Sequence, residues 1–233
     1  MISHIIMIIA LISIWLSLTW GLVILCSAVH FWFKHSDFRV DTSPLPSYPK
    51  ITIVVPAHNE DVVIAQTVKA ILDMNYPHDC VELLLFADNC SDNTYEECLT
   101  VQALPEYAGR NVTVINRSGT GGKAGVLNDA LEMATGDYIC VYDADAMPEK
   151  NALYFLVKEV LKDPERHVAS FGRNKTRNAE QNFLTRCINQ EIVVTQRVHH
   201  VGMWHLFKIG RIPGTNFIIQ TDFVRSIGGW KNG

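Results

Sequence analysis

The chain has 233 residues, of which 48% are hydrophobic and 19% are charged, enough for one globular domain of ~100 to 200 residues and a membrane segment. Its formal net charge of -4, from 20 basic and 24 acidic residues, leaves no positive surplus for a nucleic-acid partner. The six cysteines lie far apart, without CxxC pairs, so we expect reduced thiols rather than a disulfide framework or a zinc site.

The amino-terminal region is uncharged over residues 5–33, which contain no Asp, Glu, Lys or Arg. A bilayer requires about 20 consecutive apolar residues, so the sequence predicts a transmembrane anchor over residues 1–35. A cleaved signal peptide fits less well, because the segment lacks a basic start and exceeds the usual apolar core of ~7 to 15 residues. A buried soluble helix would need apolar partners on every side.

Basic residues follow this anchor and none precede it. Lys34 and Arg39 lie at or just beyond its end, and the positive-inside rule therefore places the remainder of the chain in the cytosol. We expect the membrane to be a bacterial plasma membrane. Residues 36–50 hold three prolines, which break helices and favour extended chain, so this segment is predicted to be a linker.

Beyond the linker, short β-branched runs alternate with helical patterns of apolar residues. Predicted strands cover residues 51–55, 81–87, 112–115 and 138–142, with further strands near 168–171 and 216–220. Predicted helices cover residues 94–102, 123–134, a segment ending at 161 and a long stretch from 180 to 207. An apolar helical face is predicted from Val62 to Leu72, and Gly136 is expected to cap the helix that precedes it.

This alternation predicts an α/β domain over residues 51–233, with a mostly parallel central sheet covered on both faces. Sheets of this kind bind ligands beyond the carboxyl ends of their strands. The polar motifs of the sequence follow the predicted strands at those ends, and they supply the candidate site residues.

Asp143 and Asp145 immediately follow the fourth predicted strand. Two carboxylates at this position can hold a divalent ion against a diphosphate, and oxygen ligands suit Mg²⁺ or Mn²⁺. If the strand continued, backbone alternation would direct both side chains the same way. The alternative is an ordinary solvated loop.

Two further motifs end the first and second strands. Residues 55–60 (VPAHNE) form a polar turn that can surround a base or ribose, and residues 88–94 (DNCSDNT) follow the second strand in the same way. Asp88 can accept a hydrogen bond from a base or ribose. The alternative for both motifs is local turn and capping chemistry, which Asn, Asp and Ser favour.

A glycine-rich turn, residues 119–124 (GTGGKA), leads into a predicted helix. Its backbone amides and Lys123 suit phosphate oxygens. The P-loop pattern would require Ser or Thr where Ala124 stands, so only the looser dinucleotide-binding form matches. A structural loop is the alternative here.

The three histidines His199, His200 and His205 lie in the long helical stretch. Neighbouring positions on a helix do not face the same way, so a metal site is not indicated. We expect an interfacial helix instead.

In this order, the motifs resemble those of family 2 glycosyltransferases, particularly the membrane-embedded processive synthases related to cellulose and poly-N-acetylglucosamine synthases. The resemblance implies a GT-A fold, a UDP-sugar donor and a bound Mg²⁺ or Mn²⁺. It implies the following site residues: Pro56, Ala57, Asn59, Glu60 and Asp88 at the uridine, Lys123 at the diphosphate, Asp143 at donor and metal, Asp145 at the metal, and Gly214 and Thr215 at the acceptor.

The sequence departs from this family in one respect. A Thr-Glu-Asp motif that carries the general base, and a later QxxRW motif, do not follow the segment Gly228, Gly229, Trp230. We therefore expect the general base to lie beyond Gly233, in a chain that is a fragment or split-gene product completed by a second chain. Asp222 is the alternative base, although it precedes this segment.

The predicted function is inverting transfer of a hexosyl or N-acetylhexosaminyl group from a UDP-sugar to a polysaccharide or lipid acceptor at the cytosolic membrane face. One alternative is a non-catalytic, membrane-tethered subunit that binds a nucleotide sugar. A sugar nucleotidyltransferase also uses an α/β sheet with paired aspartates, but its glycine-and-arginine loop is absent after the first strand. An anchored interaction domain without a ligand is the remaining alternative.

Overall fold

The computed structural model describes residues 2–36 and 41–231. Arg39 of the predicted basic flank and the terminal Gly233 lie outside these described residues. The chain divides into two compact units. The helical unit comprises Met1–Thr42 and Arg173–Arg211, and the sheet unit comprises Ser43–Gly172 and Ile212–Gly233.

A six-stranded sheet forms the centre of the sheet unit, with strand order β3-β2-β1-β4-β6-β5. Its strands are β1 Ile51–Ala57, β2 Val81–Asp88, β3 Asn111–Arg117, β4 Tyr138–Val141, β5 Ala169–Phe171 and β6 Phe217–Gln220. The first four pair in parallel, whereas β6 runs antiparallel to both β4 and β5. The predicted mostly parallel sheet is therefore confirmed.

Eight α-helices are found among the described residues. They are α1 Ile2–Lys34, α2 Ile64–Leu72, α3 Thr94–Gln102, α4 Gly122–Met133, α5 Ala152–Leu161, α6 Phe183–Val194, α7 His200–Phe207 and α8 Thr221–Ser226. The helix predicted at residues 94–102 is confirmed at both ends. The long stretch predicted from 180 to 207 is helical from Phe183, but a π-helical turn, Thr195–His199, separates α6 from α7.

Alternating residues of the sheet supply two apolar layers, one on each face. Ile51, Ile53 and Val55 of β1 pack in the layer that also contains residues of α2, α3 and α5. Val54 belongs to the opposite layer, with residues of α4 and α8. Each fully buried aliphatic side chain contributes about 1.5–3 kcal/mol to stability, so these layers hold the strand ends in fixed positions.

Two local predictions are wrong. Val62 was expected on the apolar face of a helix, but α2 begins at Ile64 and Val62 is 84% exposed. Gly136 was expected to cap a helix, but α4 ends at Met133. Glycine is needed at position 136 for close packing instead, because a Cβ there would lie 2.5 Å from the backbone nitrogen of Thr52.

The segment before β1 has no helix or strand in residues 41–50, yet it is attached to the sheet unit. Leu45 is buried. The Ser43 carbonyl accepts a hydrogen bond from Lys158 Nζ at 2.6 Å, and the Pro49 carbonyl accepts one from the Tyr76 hydroxyl at 2.9 Å. These contacts fix the approach of the chain to β1.

In the helical unit, α1 is long and apolar enough to cross a membrane. The most apolar 18-residue window within Ser3–Lys34 has a mean hydropathy of 2.4, and 6% of that window is buried. By length and composition, this helix could serve as the predicted anchor. It packs along α7 and the π-helical turn within the same unit.

Candidate active site

The predicted site motifs meet at one edge of the sheet. Because β1 to β4 are parallel, their carboxyl ends share this edge, and the antiparallel β6 begins there. Three non-glycine residues at this edge, Asn59, Asn89 and Asn216, have left-handed backbone angles with φ of 51° to 55°. Such conformations cost free energy and concentrate at functional sites.

Asp88 ends β2 with its side chain only 9% exposed. Its Oδ1 accepts a hydrogen bond from Arg117 Nη1 at 2.6 Å and another from the Asn89 amide at 3.1 Å. The buried carboxylate is thus compensated by a cation, as burial of a charge requires. A ligand that reaches Asp88 meets a carboxylate whose orientation is already fixed.

Arg117 is a site residue that the sequence reasoning missed. Its Nε donates to Asp129 Oδ2 at 2.6 Å and its Nη2 to the Thr120 carbonyl at 3.1 Å. Hydrogen bonds with Asp129 and then Asp88 raise the pKa of Arg117. The available signal was its position, since Arg117 ends β3 in register with Asp88 at the end of β2.

The glycines of the neighbouring loop make room for this guanidinium. A Cβ at Gly119 would lie 2.5 Å from Arg117 Cζ, and one at Gly125 would lie 2.2 Å from the Thr120 carbonyl oxygen. At Gly125 the obstacle is backbone, so this position needs glycine for close packing. At Gly119 a Cβ would displace the Arg117 guanidinium from its present position.

Residues of the VPAHNE turn lie beside Asp88, at the ends of β1 and β2. Ala57 is buried and Pro56 is half-buried. The Asn59 side-chain oxygen accepts from the Ser91 backbone N–H at 2.8 Å, and the Glu60 N–H donates to the Thr94 hydroxyl at 2.7 Å. Asn59 and Glu60 thus join two site loops, in addition to any contact with a nucleotide.

Two neighbouring side chains reinforce this junction. A ring nitrogen of His58, Nδ1, lies 2.7 Å from the Asp88 carbonyl oxygen. Burial acts to raise the pKa of Asp92, but hydrogen bonds from the Thr94 hydroxyl and from backbone N–H groups together outweigh it and lower that pKa. Asp92 Oδ1 accepts the backbone N–H of Thr94, the first residue of α3, at 3.1 Å.

Lys123 lies in the first turn of α4, after two glycines with positive φ, Gly121 at 84° and Gly122 at 50°. Its ammonium forms an ion pair with Asp143 and donates to the Gly214 carbonyl at 2.7 Å. The α4 N-terminus has no side-chain cap. Its N–H groups and Lys123 together form an environment suited to anionic oxygens.

The turn that carries Asp143 and Asp145 begins after the strand has ended. β4 stops at Val141, and the Ala146 N–H donates to the Asp143 carbonyl at 3.0 Å. The strand does not continue to Asp143 and Asp145, so strand alternation does not apply to them and a turn orients both carboxylates instead. The Asp143 side chain is 41% exposed and Asp145 is exposed.

Two hydroxyl groups hold this turn in place. The buried Thr67 of α2 donates to the Ala144 carbonyl at 2.7 Å, and the Thr215 hydroxyl accepts from the Asp143 N–H at 2.9 Å. Thr215 was predicted at the acceptor, so the predicted donor and acceptor segments are in direct contact. Thr67 was not predicted, because its contact joins residues distant in sequence.

The segment Gly228, Gly229, Trp230 is attached to α4. Asn128 receives the Trp230 N–H at 2.7 Å and donates to the Trp230 carbonyl at 2.8 Å. Gly229 has φ of 78°, and a Cβ there would lie 2.5 Å from Asn128 Oδ1. The glycine is needed for this approach.

Asp222, the alternative general base, lies at the opposite edge of the sheet. β6 runs away from the site. The next residue, Thr221, donates its backbone N–H at 3.0 Å to the carbonyl of Asp137, which immediately precedes β4. Asp222 is fully exposed and pairs with Arg225 at 3.3 Å. It does not share an edge with Asp143.

A divalent ion at the site would be bound by few protein groups. Among residues 2–36 and 41–231, no three His, Cys, Asp or Glu side chains converge as a metal site. Asp143 and Asp145 offer carboxylate oxygens on one short turn, and Mg²⁺ or Mn²⁺ commonly takes one or two carboxylates with phosphate and water. The donor set therefore fits such an ion together with a diphosphate.

Comparison with known proteins identifies the family. Residues 52–221 match the model of Glycosyl transferase family 2. The chain belongs to this family. It is 40% identical over 184 residues to the Probable glycosyltransferase YdaM of Bacillus subtilis (strain 168). The aligned region covers 79% of this chain and 43% of that protein.

Other family relatives are more distant. The Beta-monoglucosyldiacylglycerol synthase of Synechocystis sp. (strain ATCC 27184 / PCC 6803 / Kazusa) is 30% identical over 200 residues, covering 82% of this chain and 39% of that protein. The Poly-beta-1,6-N-acetyl-D-glucosamine synthase of Staphylococcus aureus (strain COL) is 24% identical over 201 residues, covering 82% and 46%. The chain spans about two fifths of the length of the first curated relatives it matches.

A solved structure shows the same fold. The mannosyltransferase PcManGT from Pyrobaculum calidifontis, in complex with GDP-Man and Mn²⁺, superposes with a TM-score of 0.65 at 20% identity, covering 90% of this chain and 56% of that chain. The predicted GT-A fold is thus confirmed for this family 2 chain.

Proposed function

We propose that this chain forms the donor-binding part of an inverting glycosyltransferase, which transfers a hexosyl or N-acetylhexosaminyl group from a UDP-sugar to a polysaccharide or lipid acceptor. The observation that carries the proposal is the meeting of Asp88, Lys123, Asp143 and Thr215 at one edge of the sheet in a family 2 chain. Ligands of open α/β sheets bind at this edge.

The uridine would lie across the ends of β1 and β2. Asp88 is buried and oriented by Arg117, and a carboxylate accepts the imide N–H that a uracil ring offers. The turn of Pro56, Ala57, Asn59 and Glu60 would line the other side. Preorganisation of the carboxylate favours binding, because less side-chain ordering is needed when the base arrives.

The diphosphate would lie between α4 and the Asp143 turn. Lys123 is already paired with Asp143, so the arriving phosphates would exchange this contact for contacts of their own with the ammonium and the α4 N–H groups. Asp143 and Asp145 would hold Mg²⁺ or Mn²⁺. Such an ion neutralises charge that develops on a leaving diphosphate.

The acceptor would enter next to Gly214 and Thr215, which contact Lys123 and Asp143 through the Gly214 carbonyl and the Thr215 hydroxyl. An acceptor hydroxyl there would attack the anomeric carbon from the face opposite the diphosphate, which inverts the configuration. The opposite-edge position of Asp222 argues against it as the base that removes the hydroxyl proton. We assign the base to a part of the longer relatives that this chain does not match.

The names of the relatives support the acceptor classes. One is a monoglucosyldiacylglycerol synthase, whose name gives a lipid product, and another is a poly-N-acetylglucosamine synthase, whose name gives a polysaccharide product. A membrane location with the site in the cytosol agrees with the apolar α1 and with Lys34 at its carboxyl-terminal end.

Calorimetry of UDP binding, with and without Mn²⁺, tests the proposal. We expect Mn²⁺ to strengthen UDP binding at least ~10-fold, equivalent to ~1.4 kcal/mol, and we expect Asp145→Ala to remove this gain. Asp222→Asn is the matched control, since it changes another exposed carboxylate at the opposite edge. Asp88→Ala should weaken uridine and UDP equally while the Mn²⁺ effect persists. Unchanged UDP affinity in Asp145→Ala with Mn²⁺ would contradict the assignment.

A further inference from the structure

The carboxyl-terminal third of α1 packs against protein, whereas most of the helix does not. Its buried side chains are Ile24, Ser27 and Ala28, and nearly all described residues before Ile24 are exposed. The Ser27 hydroxyl donates to the Gly202 carbonyl of α7 at 2.9 Å. A Cβ at Gly202 would lie 2.4 Å from the Ile24 carbonyl oxygen, so the two helices approach closely here.

α7 runs antiparallel to α1 along this contact. Near the end of α1, Trp32 Nε1 donates to the Arg197 carbonyl at 3.0 Å, before α7 begins. Earlier in α1, the ring of Trp20 stacks on Phe207 at the end of α7, with centroids 5.5 Å apart. Twelve residues of helix separate the two tryptophans, which corresponds to about 18 Å along the axis.

This geometry conflicts with immersion of the whole uncharged run, residues 5–33. Phe207 would then lie about 18 Å or more below the cytosolic surface. Lys208 is the next residue in the chain, and Arg211 lies four residues beyond Phe207. Charged side chains in the hydrocarbon are costly and rare. The contact between His30 and His205, with ring nitrogens 3.0 Å apart, would be immersed as well.

A shorter span removes the conflict. Ile2 to Trp20 is 19 residues, or about 28 Å of helix, close to the ~30 Å thickness of a hydrocarbon core. Trp20 and Trp204 would then lie at the interface, where tryptophan is enriched. The Lys208 ammonium, 5.9 Å from the centre of the Trp204 ring, would reach the headgroups.

The segment that reaches this level carries the charge and exposed apolar surface that such a position requires. Residues 192–211 contain three basic residues and no acidic one, within a chain whose net charge is -4. Exposed apolar side chains lie at and just beyond the end of α7: Trp204, Leu206, Phe207 and Ile209. Basic and apolar segments of this type bind anionic membrane surfaces.

We propose that the cytosolic surface of the bilayer lies at the level of Trp20, and that the carboxyl-terminal end of the α6–α7 arm, residues 183–211, meets this surface with Lys208 and Arg211 at the phosphates of anionic phospholipids. The last third of α1 is then a cytosolic helix that holds the arm. This inference rests on the proposed anchoring role of α1 and is independent of the proposed sugar transfer.

Cysteine accessibility tests the position of the surface. The chain is expressed in bacterial membranes with Cys80, Cys90 and Cys187 replaced by Ser, which leaves the exposed Cys26 and the buried Cys98 and Cys140. Inverted vesicles are treated with an impermeant maleimide. We expect Cys26 to be labelled as readily as Cys introduced by Ser36→Cys, and Cys introduced by Ser13→Cys or Ser17→Cys to be protected, each of the latter two in a Cys26→Ser background.

Lipid dependence tests the arm itself. A fluorophore attached to Ile209→Cys, in the same background with Cys26→Ser, is reconstituted with bromine-labelled lipid in phosphatidylcholine or in an equimolar mixture with phosphatidylglycerol. We expect stronger quenching in the anionic mixture, and loss of this difference when Lys208 and Arg211 are both changed to Gln. The proposal would be overturned if Cys26 and the cysteine of Ser13→Cys were labelled to the same extent, whether both are protected or both react. It would also be overturned if quenching at position 209 were the same in both lipid mixtures. In that case, a second copy or another protein covers the arm instead of lipid.

Discussion

Removal of the Arg117 guanidinium provides a stringent test of how the nucleotide edge is built. Arg117→Met keeps a long side chain but removes the cation that binds Asp88 at 2.6 Å, where the two side chains are only 11% and 9% exposed. Removing one partner of a buried ion pair costs about 3–5 kcal/mol. The second contact of Arg117, with Asp129, adds only about 0–1 kcal/mol because Asp129 is 51% exposed.

We therefore expect Arg117→Met to lower the free energy of unfolding by about 3–5 kcal/mol. The measurement is urea unfolding in mild detergent, followed by tryptophan fluorescence. Arg186→Met is the matched control, since Arg186 pairs with Glu180 at 3.3 Å with both side chains more than half exposed. This control should lose about 0–1 kcal/mol.

A double-mutant cycle with Asp88→Asn separates the ion pair from other effects of the substitution. Because Arg117 and Asp88 share one contact, the combined loss should be smaller than the sum of the single losses, with a coupling energy of about 0.5–3 kcal/mol. A loss in Arg117→Met no larger than that in Arg186→Met, or strict additivity in the cycle, would refute the reasoning.

Three further predictions follow from packing and burial. Gly136→Ala places a Cβ 2.5 Å from a backbone nitrogen of β1 and should lower the free energy of unfolding in urea by about 1–3 kcal/mol. Gly210→Ala is the control, because the nearest atom to its Cβ would lie at 3.8 Å. Equal stability of the two variants would count against this packing argument. Thr67→Val removes the hydroxyl that donates to the Ala144 carbonyl in the Asp143 turn at 2.7 Å, and it should lower the free energy of unfolding by about 1 kcal/mol. It should also weaken Mn²⁺-dependent UDP binding more than uridine binding. Calorimetry showing equal losses of affinity for UDP and uridine would disprove this role. Burial raises the pKa of Cys98 and Cys140 to about 12, so both thiols should resist maleimide in the folded protein at neutral pH. Since these values exceed the ordinary 9.0, the unfolding free energy should fall as pH rises from about 9 towards 12, and pH-independent stability in that range would show the thiols to be unperturbed.

Local sequence pattern was sufficient for much of the fold. The helix Thr94–Gln102 and the four parallel strands follow from runs of apolar and β-branched residues, because each pattern reports burial of its own segment. Pattern failed where a neighbour distant in sequence decides the outcome. Gly136 resembles a helix cap in sequence, but its requirement for glycine comes from the backbone of β1.

The candidate site divides in the same way. Asp143 and Asp145 were identified because they follow a strand, yet the turn that orients them depends on Thr67 and Thr215, whose contacts span more than 70 residues. Arg117 was missed because its role arises only when β2 and β3 pair in register. Residue type and strand-end position therefore predict which groups reach the edge, while the pairing of strands determines which groups orient them.

Photoaffinity labelling with a 5-azido-UDP-sugar most directly tests where the nucleotide binds. The azide on the base would report the base position, and mass spectrometry would identify the labelled peptide. The proposed site predicts label on the turns after β1 and β2, near Asn59 and Asn89, and loss of this label in excess UDP. The sheet unit also has a cavity at the opposite edge, lined by Tyr76, His78 and Arg110 among others. UDP-protected label on those residues, with none near Asn59 or Asn89, would contradict the central claim that the carboxyl edge of this sheet binds the donor.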